Sequence, residues 1–338
     1  MRIVVAMIRI DEQKIFDAIK ERKPKVIAFN GPEGIMRKIQ DVADRVSSEF
    51  GISAYIIGDT CYGSCDINSH AAEMIGADIL FHIGHTISMQ DFGSKIVLVD
   101  AYDDITFDSV AEKCARELKD YKTLSIVTDS QHLHQVNRVK EILERSGFKV
   151  VIGEGKGQLN DGQVFGCEFY PAFDVKDMVD AYVFLGQSSF HAAGVALSSG
   201  KPTFILDPYF DEIRDVTKFA YELQKKSILA IYKALDAERI GLIVGLKEGQ
   251  FMLNRVIGLK KELEKHGKKV QLIALTEVTD ERLRIFANID AFIQVACPRI
   301  SIDNTFSKPV LSVPQANALL KLLNKESIDD FLKVPHWL

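Results

Sequence analysis

Long apolar runs are missing from this 338-residue chain. No stretch approaches the roughly 18 consecutive apolar residues that cross a bilayer as a helix. The apolar amino terminus, residues 1–9, is short, contains Arg9 and is followed by Asp11, so it lacks the layout of a signal peptide. We interpret this segment as a first strand or an arm, and we expect no membrane segment and no membrane partner.

Cysteines are few, and their number is odd. Five in the whole chain fall far short of the density of a secreted disulfide framework, so we expect a protein of the reducing cytoplasm. Blocks of like charge are missing as well, since 42 Lys and Arg stand against 47 Asp and Glu, for a formal net charge of -5. We therefore expect no nucleic-acid partner. A small molecule or another protein is the expected partner.

An internal repeat is the main feature that is present. The composition, 47% hydrophobic and 26% charged, is that of a globular protein, and the length allows two or three domains. Each repeat starts with an apolar strand, continues with a helix that has one apolar face, and reaches a second strand after a glycine. The predicted first strands are residues 25–29, 124–128 and 240–244. The glycines predicted to end the helices are Gly51, Gly147 and Gly267.

The later parts of the three repeats correspond too. Third strands are predicted to start at Ala77, Ala181 and Ala291, and fourth strands at Lys95, Lys201 and Lys308. Strand and helix in alternation predict parallel sheets with right-handed crossovers. The predicted fold class is therefore α/β, with three similar Rossmann-like parallel-sheet domains in a pseudo-threefold arrangement. The predicted domains are residues 1–105, 106–210 and 211–338.

One cysteine in each repeat lies in a loop behind a predicted strand. These residues are Cys65, Cys167 and Cys297. Because ligands of such sheets bind beyond the carboxyl ends of the strands, a threefold arrangement would bring the three thiols to one centre. Thiolates select iron-sulfur clusters or zinc. The alternative is that the cysteines pack as small apolar side chains, which is how we interpret Cys114 in its predicted helix.

Several segments together resemble the archaeal diphthamide-synthesis enzymes, the 2-(3-amino-3-carboxypropyl)histidine synthases. The resemblance extends from about Ala18 to Pro314 and keeps the order of the segments. The segments are Tyr62-Gly63-Ser64-Cys65-Asp66, Gln131-His132-Leu133-His134-Gln135, Gly162-Gln163-Val164-Phe165-Gly166-Cys167, Phe190-His191-Ala192-Ala193-Gly194 and Val295-Ala296-Cys297-Pro298-Arg299.

The resemblance implies a homodimer whose subunits each hold a 4Fe-4S cluster by Cys65, Cys167 and Cys297. Cys61 departs from the family's loop, which does not require a cysteine at that place, and we interpret it as a spectator, with a role as a substitute ligand as the alternative. Three cysteine ligands leave one iron open for a substrate, which in this family is S-adenosylmethionine. The tail from Gln315 to Leu338 contains no motif, and we expect it to pack on the dimer or to close the third domain.

The chemistry implied by the resemblance is a radical transfer. An electron from the reduced cluster cleaves the bond from sulfur to the aminocarboxypropyl carbon of S-adenosylmethionine. The 3-amino-3-carboxypropyl radical then adds to the imidazole C2 of one histidine in translation elongation factor 2. This transferase reaction is the first step of diphthamide biosynthesis.

Glycine-bearing loops are candidates for binding S-adenosylmethionine. Gly31 and Gly34 lie at a predicted helix start, where the helix dipole favours an anion. Gly186, Gln187 and Ser188 follow the third strand of the second repeat, where backbone N–H groups are able to approach a ligand. The alternative for each loop is a plain turn between strand and helix.

His85, His191 and Arg299 are candidates for catalytic roles. The radical addition requires that the imidazole product lose a proton and an electron, and His85 or His191 is positioned in a loop or helix start where it would serve as the base. Arg299, two residues after Cys297, would offset cluster charge or hold a carboxylate. The alternatives are histidines bonded to the backbone and a solvated surface arginine.

Two other functions are compatible with three α/β repeats. One is a quinolinate synthase-like 4Fe-4S enzyme, whose motifs the sequence does not show. The other is a ligand-binding protein of stacked α/β domains without enzymatic activity, in which the cysteines are inert. Brown colour in anaerobically purified protein would exclude the second of these.

Alanine substitutions separate cluster ligands from packed cysteines. Replacing Cys65, Cys167 or Cys297 is expected to lower the iron content and abolish turnover, because each is predicted to ligate the cluster. Cys61→Ala and Cys114→Ala are the matched controls and are expected to retain both. Iron and sulfide analysis of anaerobic protein is the measurement, and a full iron complement with normal turnover in Cys297→Ala contradicts the prediction.

Overall fold

Three sheets follow one another along the chain in this computed structural model, which describes residues 8–87, 95–303 and 305–338. Each sheet has a central first strand with the second strand of its unit on one side and the third and fourth on the other. The three units therefore share one strand order, as the repeat predicts. Of the segment interpreted as a first strand or arm, residues 1–7 lie outside the described residues.

The first unit contains a four-stranded parallel sheet of order β3-β2-β4-β5. A separate antiparallel pair, β1 with β6, lies beside it. Its helix α2 ends at Gly51, whose positive φ of 65° lets it cap the helix as predicted. The elements are β1 Ile8–Ile10, α1 Glu12–Arg22, β2 Val26–Asn30, α2 Met36–Phe50, β3 Ser53–Ile56, α3 Ser69–Met74, β4 Ile79–Ile83, β5 Ile96–Val99 and β6 Ala101–Asp103.

The second unit contains a five-stranded sheet of order β8-β7-β9-β10-β11. Its last strand is antiparallel, unlike the parallel pairing predicted throughout, because a short turn reverses the chain after β10. Strand β11 extends this sheet to Asp215, beyond the predicted end of the second domain at residue 210. The division into domains of residues 1–105, 106–210 and 211–338 stays a prediction. The elements are α4 Asp108–Glu117, β7 Thr123–Thr128, α5 Val136–Arg145, β8 Lys149–Val151, α6 Tyr170–Asp174, β9 Ala181–Leu185, α7 Ser189–Ser199, β10 Thr203–Asp207 and β11 Glu212–Asp215.

The third unit contains a four-stranded parallel sheet of order β13-β12-β14-β15. Two helices that the repeat pattern does not predict, α8 and α12, pack against each other. The elements are α8 Thr217–Leu235, β12 Arg239–Gly245, α9 Leu253–Lys265, β13 Lys269–Leu275, α10 Asp280–Arg284, β14 Ala291–Gln294, α11 Pro298–Asp303, β15 Val310–Leu311 and α12 Val313–Leu323.

An aspartate just before the third strand holds the start of the central strand in every unit. Asp78 accepts hydrogen bonds from the backbone N–H groups of Lys25 and Val26 at 2.7 and 3.0 Å. Asp180 and Asp290 do the same for residues 122–123 and 238–239. Because these bonds favour the carboxylate, they lower the pKa of Asp78 and of Asp180. The repeat thus extends to individual hydrogen bonds.

Buried apolar side chains form separate cores in the first unit and one continuous core through the second and third. The continuous core includes Phe169, Tyr182, Ile231, Leu319 and Trp337. Cys114 is fully buried in a further cluster of the second unit, as predicted for a packed thiol. The second and third units are therefore joined by apolar packing. Among the described residues, no helix is both long and apolar enough to cross a membrane.

Two helix glycines are predicted to respond in opposite ways to the same change. A Cβ on Gly194 in α7 would lie 2.4 Å from the Phe169 ring, whereas one on Gly258 in α9 would meet nothing within 4 Å. Gly194→Ala is expected to lower the free energy of unfolding by about 1–3 kcal/mol through overpacking. Gly258→Ala, the control, is expected to raise it by about 0.5–1 kcal/mol. Urea unfolding measures both, and equal effects contradict the packing argument.

Candidate metal centre

Three loops at the carboxyl ends of the sheets bring Cys65, Cys167 and Cys297 together. Cys65 follows β3, Cys167 follows β8 and Cys297 follows β14. Burial raises the pKa of the Cys167 thiol, and the nearby charges of Cys297 and Cys65 raise it further. Burial, followed by the charge of Cys65, raises the pKa of Cys297 to about 11. A Cβ on Gly166, next to Cys167, would lie 3.3 Å from Arg299 Cδ, so the loops of Cys167 and Cys297 are in contact, and the charge of Cys65 acts on both thiols.

The spacing of these thiols fits a cluster better than a single ion. Four thiolates around one zinc lie about 3.8 Å apart, because each Zn–S bond is about 2.3 Å long and the geometry is tetrahedral. Among the described residues, the three sulfur atoms of Cys65, Cys167 and Cys297 do not all lie within 4.8 Å of one another. Three soft, half-buried thiols with wider spacing suit an iron-sulfur cluster in which one iron is left without a cysteine ligand.

The third unit holds the Cys65 loop. The backbone N–H of Gly249 donates to the Cys65 carbonyl oxygen at 3.0 Å, and the Gln250 side-chain amide donates to Cys65 Sγ at 3.5 Å. A Cβ on Gly249 would lie 2.5 Å from Cys65 Cα, so the close approach requires glycine. The Gln250 hydrogen bond favours the thiolate and opposes the rise in the pKa of Cys65 that burial causes.

A buried ion pair fixes the same loop. Lys247, six per cent exposed at its side chain, places Nζ 2.5 Å from Oδ2 of Asp66, which is three per cent exposed. Nζ also lies 2.7 Å from Glu277 Oε1 and 4.5 Å from the centre of the Tyr62 ring. Burial raises the pKa of Asp66, and the bond from Lys247 opposes that rise. One lysine of the third unit therefore contacts the residues on both sides of the cysteine loop.

The end of the chain holds the Cys167 loop. The Trp337 backbone N–H donates to the Cys167 carbonyl oxygen at 2.8 Å, and Phe169 N–H donates to Pro335 O at 2.7 Å. His336 Nε2 lies 3.3 Å from Glu168 Oε1. The Trp337 ring packs edge-on against Phe169 at 4.8 Å between centres. The tail, expected to pack on a dimer or close the third domain, thus reaches back to the second unit.

Gln294, the last residue of β14, holds the Cys297 loop from within its own unit. Its Oε1 accepts the N–H groups of Ala296 and Cys297 at 2.8 and 3.0 Å, and its amide donates to Cys297 O at 2.7 Å. Arg299 places its guanidinium 4.7 Å from the centre of the Phe190 ring. Its charge and its backbone N–H both favour the Cys297 thiolate.

Comparisons with known proteins assign the family. Residues 31–331 match the family of the diphthamide synthesis protein. The chain belongs to this family. It is 30% identical over 332 residues to the 2-(3-amino-3-carboxypropyl)histidine synthase of Pyrococcus horikoshii, covering 96% of this chain and 94% of that protein. It is 30% identical to subunit 1 of the Schizosaccharomyces pombe synthase, covering 90% of this chain and 72% of that one.

A solved member of the diphthamide synthesis family shares the fold. The crystal structure of Dph2 from Pyrococcus horikoshii with a 4Fe-4S cluster superposes with a TM-score of 0.86 at 30% identity. The match covers 97% of this chain and 95% of that one. The α/β class and the repeated parallel sheets predicted from the sequence are confirmed.

His85, a predicted catalytic base, lies against Cys61. Its Nδ1 is 3.7 Å from Cys61 Sγ, and burial lowers the pKa of His85 to about 4. The imidazole is therefore neutral at pH 7 and accepts a proton only weakly. Burial raises the pKa of Cys61 to about 12. Near this point the Gln163 amide of the second unit donates to Thr86 O at 3.0 Å.

His191 lies on the side of the centre formed by the second unit. Its Nδ1 is 2.5 Å from Ser188 Oγ, and Ser188 caps the start of α7 by accepting the His191 N–H. The His191 ring stacks on Phe184 at 6.1 Å. The ring of the neighbouring residue, Phe190, lies against the Arg299 guanidinium. The catalytic roles predicted for His85, His191 and Arg299 stay predictions.

The glycine loops predicted to bind S-adenosylmethionine have structural roles too. A Cβ on Gly31 would lie 2.8 Å from Ile39 Cδ1 and from Ile83 O, so tight packing already requires glycine there. Gly186 has a positive φ of 132°. The Gln187 amide donates to Asp207 at 3.0 Å. A Cβ on Gly34 would meet nothing within 4 Å. Ligand binding by these residues stays a prediction.

Sequence reasoning missed the residues that hold the loops. They are Lys247, Gln250, Trp337 and the strand-end residue Gln294. A signal was present for part of this set, because a polar residue directly at or after a buried strand marks the carboxyl edge of a parallel sheet. Asn30 and Gln294 end such strands, and Lys247 follows one closely. No comparable local signal marks Trp337.

Loss of the Lys247 cation is predicted to destabilise the centre. Lys247→Met leaves the Asp66 carboxylate buried without its partner, so we expect about 3–5 kcal/mol less free energy of unfolding and less iron bound per chain. Lys265→Met removes an exposed pair with Glu262 and is expected to cost less than about 1 kcal/mol. Urea unfolding and iron analysis are the measurements. Equal losses in the two variants contradict a role for the buried pair.

Proposed function

We propose that this chain is a 2-(3-amino-3-carboxypropyl)histidine synthase, a transferase of the first step of diphthamide biosynthesis. The observation that carries the proposal is the convergence of the half-buried Cys65, Cys167 and Cys297, one from each unit, on a single site. The similarity to the Pyrococcus horikoshii synthase over nearly the whole of both chains supports it. The quinolinate synthase-like and non-enzymatic alternatives find no support in the family.

The proposed cofactor is a 4Fe-4S cluster held by Cys65, Cys167 and Cys297, with S-adenosylmethionine as cosubstrate. When bound, the cluster supplies the electron that cleaves a carbon–sulfur bond of the sulfonium. Within the chain, the Gln250 amide stabilises the Cys65 thiolate by donating to its sulfur. Arg299 stabilises the Cys297 thiolate by its charge, and we propose that it binds the carboxylate of the cosubstrate.

We assign proton transfer to His85 or His191. After the radical adds, the imidazole of the target protein loses a proton from C2 and one electron, which the oxidised cluster would take up. His85 is one candidate for the proton acceptor while its ring is not bound to a metal, although the burial that lowers its pKa to about 4 makes it a weak one. Ser188 Oγ orients the His191 ring through Nδ1, which makes His191 the second candidate.

The proposed target is a histidine of translation elongation factor 2. We propose that the protein is a radical enzyme and that it acts as a homodimer in the cytoplasm. A reducing compartment is supported by the five free cysteines of the chain. The target and the dimer come from the resemblance of the site segments to the diphthamide-synthesis enzymes.

The direction of bond cleavage tests the proposal. Dithionite-reduced, anaerobic protein is expected to convert S-adenosylmethionine to methylthioadenosine and aminocarboxypropyl products, because the pocket decides which carbon is presented for cleavage. Added elongation factor 2 is expected to gain one such group on a histidine, measured by mass spectrometry. Cys114→Ala serves as the active control and Cys297→Ala as the inactive one. The appearance of 5′-deoxyadenosine as the main product, with the factor unmodified, would falsify the assignment.

A further inference from the structure

A second group of metal-binding side chains lies beside the cysteine centre. The ligand atoms of Cys61, His82 and His85 all lie within 4.8 Å of one another. Cys61 is six per cent exposed and His82 is fully buried. His82 belongs to β4, His85 follows it, and Cys61 comes from the loop after β3. The end of β4 and the loop after β3, which lie on the two sides of β2 in the first sheet, thus bring one sulfur and two imidazoles into one small space.

The hydrogen bonds behind His82 determine which ring nitrogen carries its proton. The Asn30 side-chain amide donates from Nδ2 to the Ile67 carbonyl oxygen at 2.6 Å, and a carbonyl only accepts. Asn30 Oδ1 is therefore the atom that faces His82 Nδ1 at 2.8 Å, and it accepts from it. Nδ1 carries the hydrogen, so Nε2 presents a bare lone pair.

That lone pair has no donor among the described residues, although Nε2 is buried. A buried acceptor without a partner is rare, because it loses its bonds to water and gains nothing in return. A metal ion satisfies such an atom. A histidine that binds a metal through one ring nitrogen usually donates its other ring N–H to an oxygen, as His82 Nδ1 does to the Asn30 amide oxygen.

We propose that Cys61, His82 and His85 bind a divalent transition-metal ion of the Zn²⁺ class, distinct from the cluster held by Cys65, Cys167 and Cys297. One thiolate and two imidazoles are borderline-soft donors that suit such an ion. Three protein ligands leave a fourth, open position in tetrahedral geometry. Binding replaces the thiol proton of Cys61, which is released to solvent.

The proposed metal site would fix the position of the Cys65 loop, which is a role separate from the proposed transferase function. Cys61 lies four residues before Cys65, in the loop that Lys247 and Gln250 hold from the other side. An ion at Cys61 ties the start of this loop to the end of β4. The Cys65 loop is then fixed at both ends, by the metal within the first unit and by the ion pair from the third.

Zinc binding by the cluster-loaded protein tests the site. Anaerobic protein with its iron and sulfide complete is equilibrated with Zn²⁺ and freed of excess metal, so that the cluster cysteines are already occupied. We expect about one Zn²⁺ per chain by elemental analysis. Zinc-edge X-ray absorption is expected to show one sulfur at about 2.3 Å and nitrogens at about 2.0–2.1 Å. Absence of retained zinc, or a shell of two or more sulfurs, overturns the proposal.

Variants connect the bound zinc to these residues. Cys61→Ser and His82→Gln are expected to lose the zinc, and Asn30→Leu, which removes only the support behind His82, is expected to weaken zinc affinity about 10–100-fold. Cys114→Ser is the matched control. Iron and sulfide content, measured on the same samples, is expected to stay complete in Cys61→Ser. Zinc retained by Cys61→Ser as tightly as by the unmodified protein rejects the site, whereas loss of iron in every sample would instead count against the cluster.

Discussion

The ion pair between Lys247 and Asp66 determines where the first unit meets the third. Two charges removed from water are tolerated only when they face each other, so a small displacement of either loop leaves an unpaired buried charge. Such a pair adds little net stability, but it strongly disfavours other arrangements. Because Cys65 is the residue next to Asp66, the pair sets the position of one of the three thiols relative to the other two.

The three cysteine loops are held in three different ways. The Cys65 loop is held by Lys247 of the third unit, and the Cys167 loop is held by Trp337 near the end of the chain. The Cys297 loop is held by Gln294, which ends the strand before it. The second and third units share one apolar core, whereas the first has cores of its own. The first unit therefore relies at the site on directional polar contacts, which specify geometry more narrowly than apolar burial does.

Much of the fold could be predicted from the sequence, because each repeat carries its own apolar periodicity and a glycine at the helix end. These signals are local, and they place the three cysteines after strands. The contacts that assemble the site are not local. Lys247 and Asp66 are separated by 181 positions, and Trp337 reaches Cys167 from the last residues of the chain. The strand β11 and its antiparallel direction were not predicted, because both depend on the single turn after β10.

The raised pKa values of the thiols explain why the fold and the metal are coupled. Burial disfavours the thiolate of each cysteine, and the mutual repulsion of Cys65, Cys167 and Cys297 disfavours three thiolates still more. The Gln250 and Arg299 contacts offset only part of this cost. The proposed iron-sulfur cluster would offset it, since a metal binds thiolates in place of their protons. Partial burial of the three thiols makes their thiolates unfavourable without metal, so we expect the three-unit arrangement and the proposed cluster to stabilise each other.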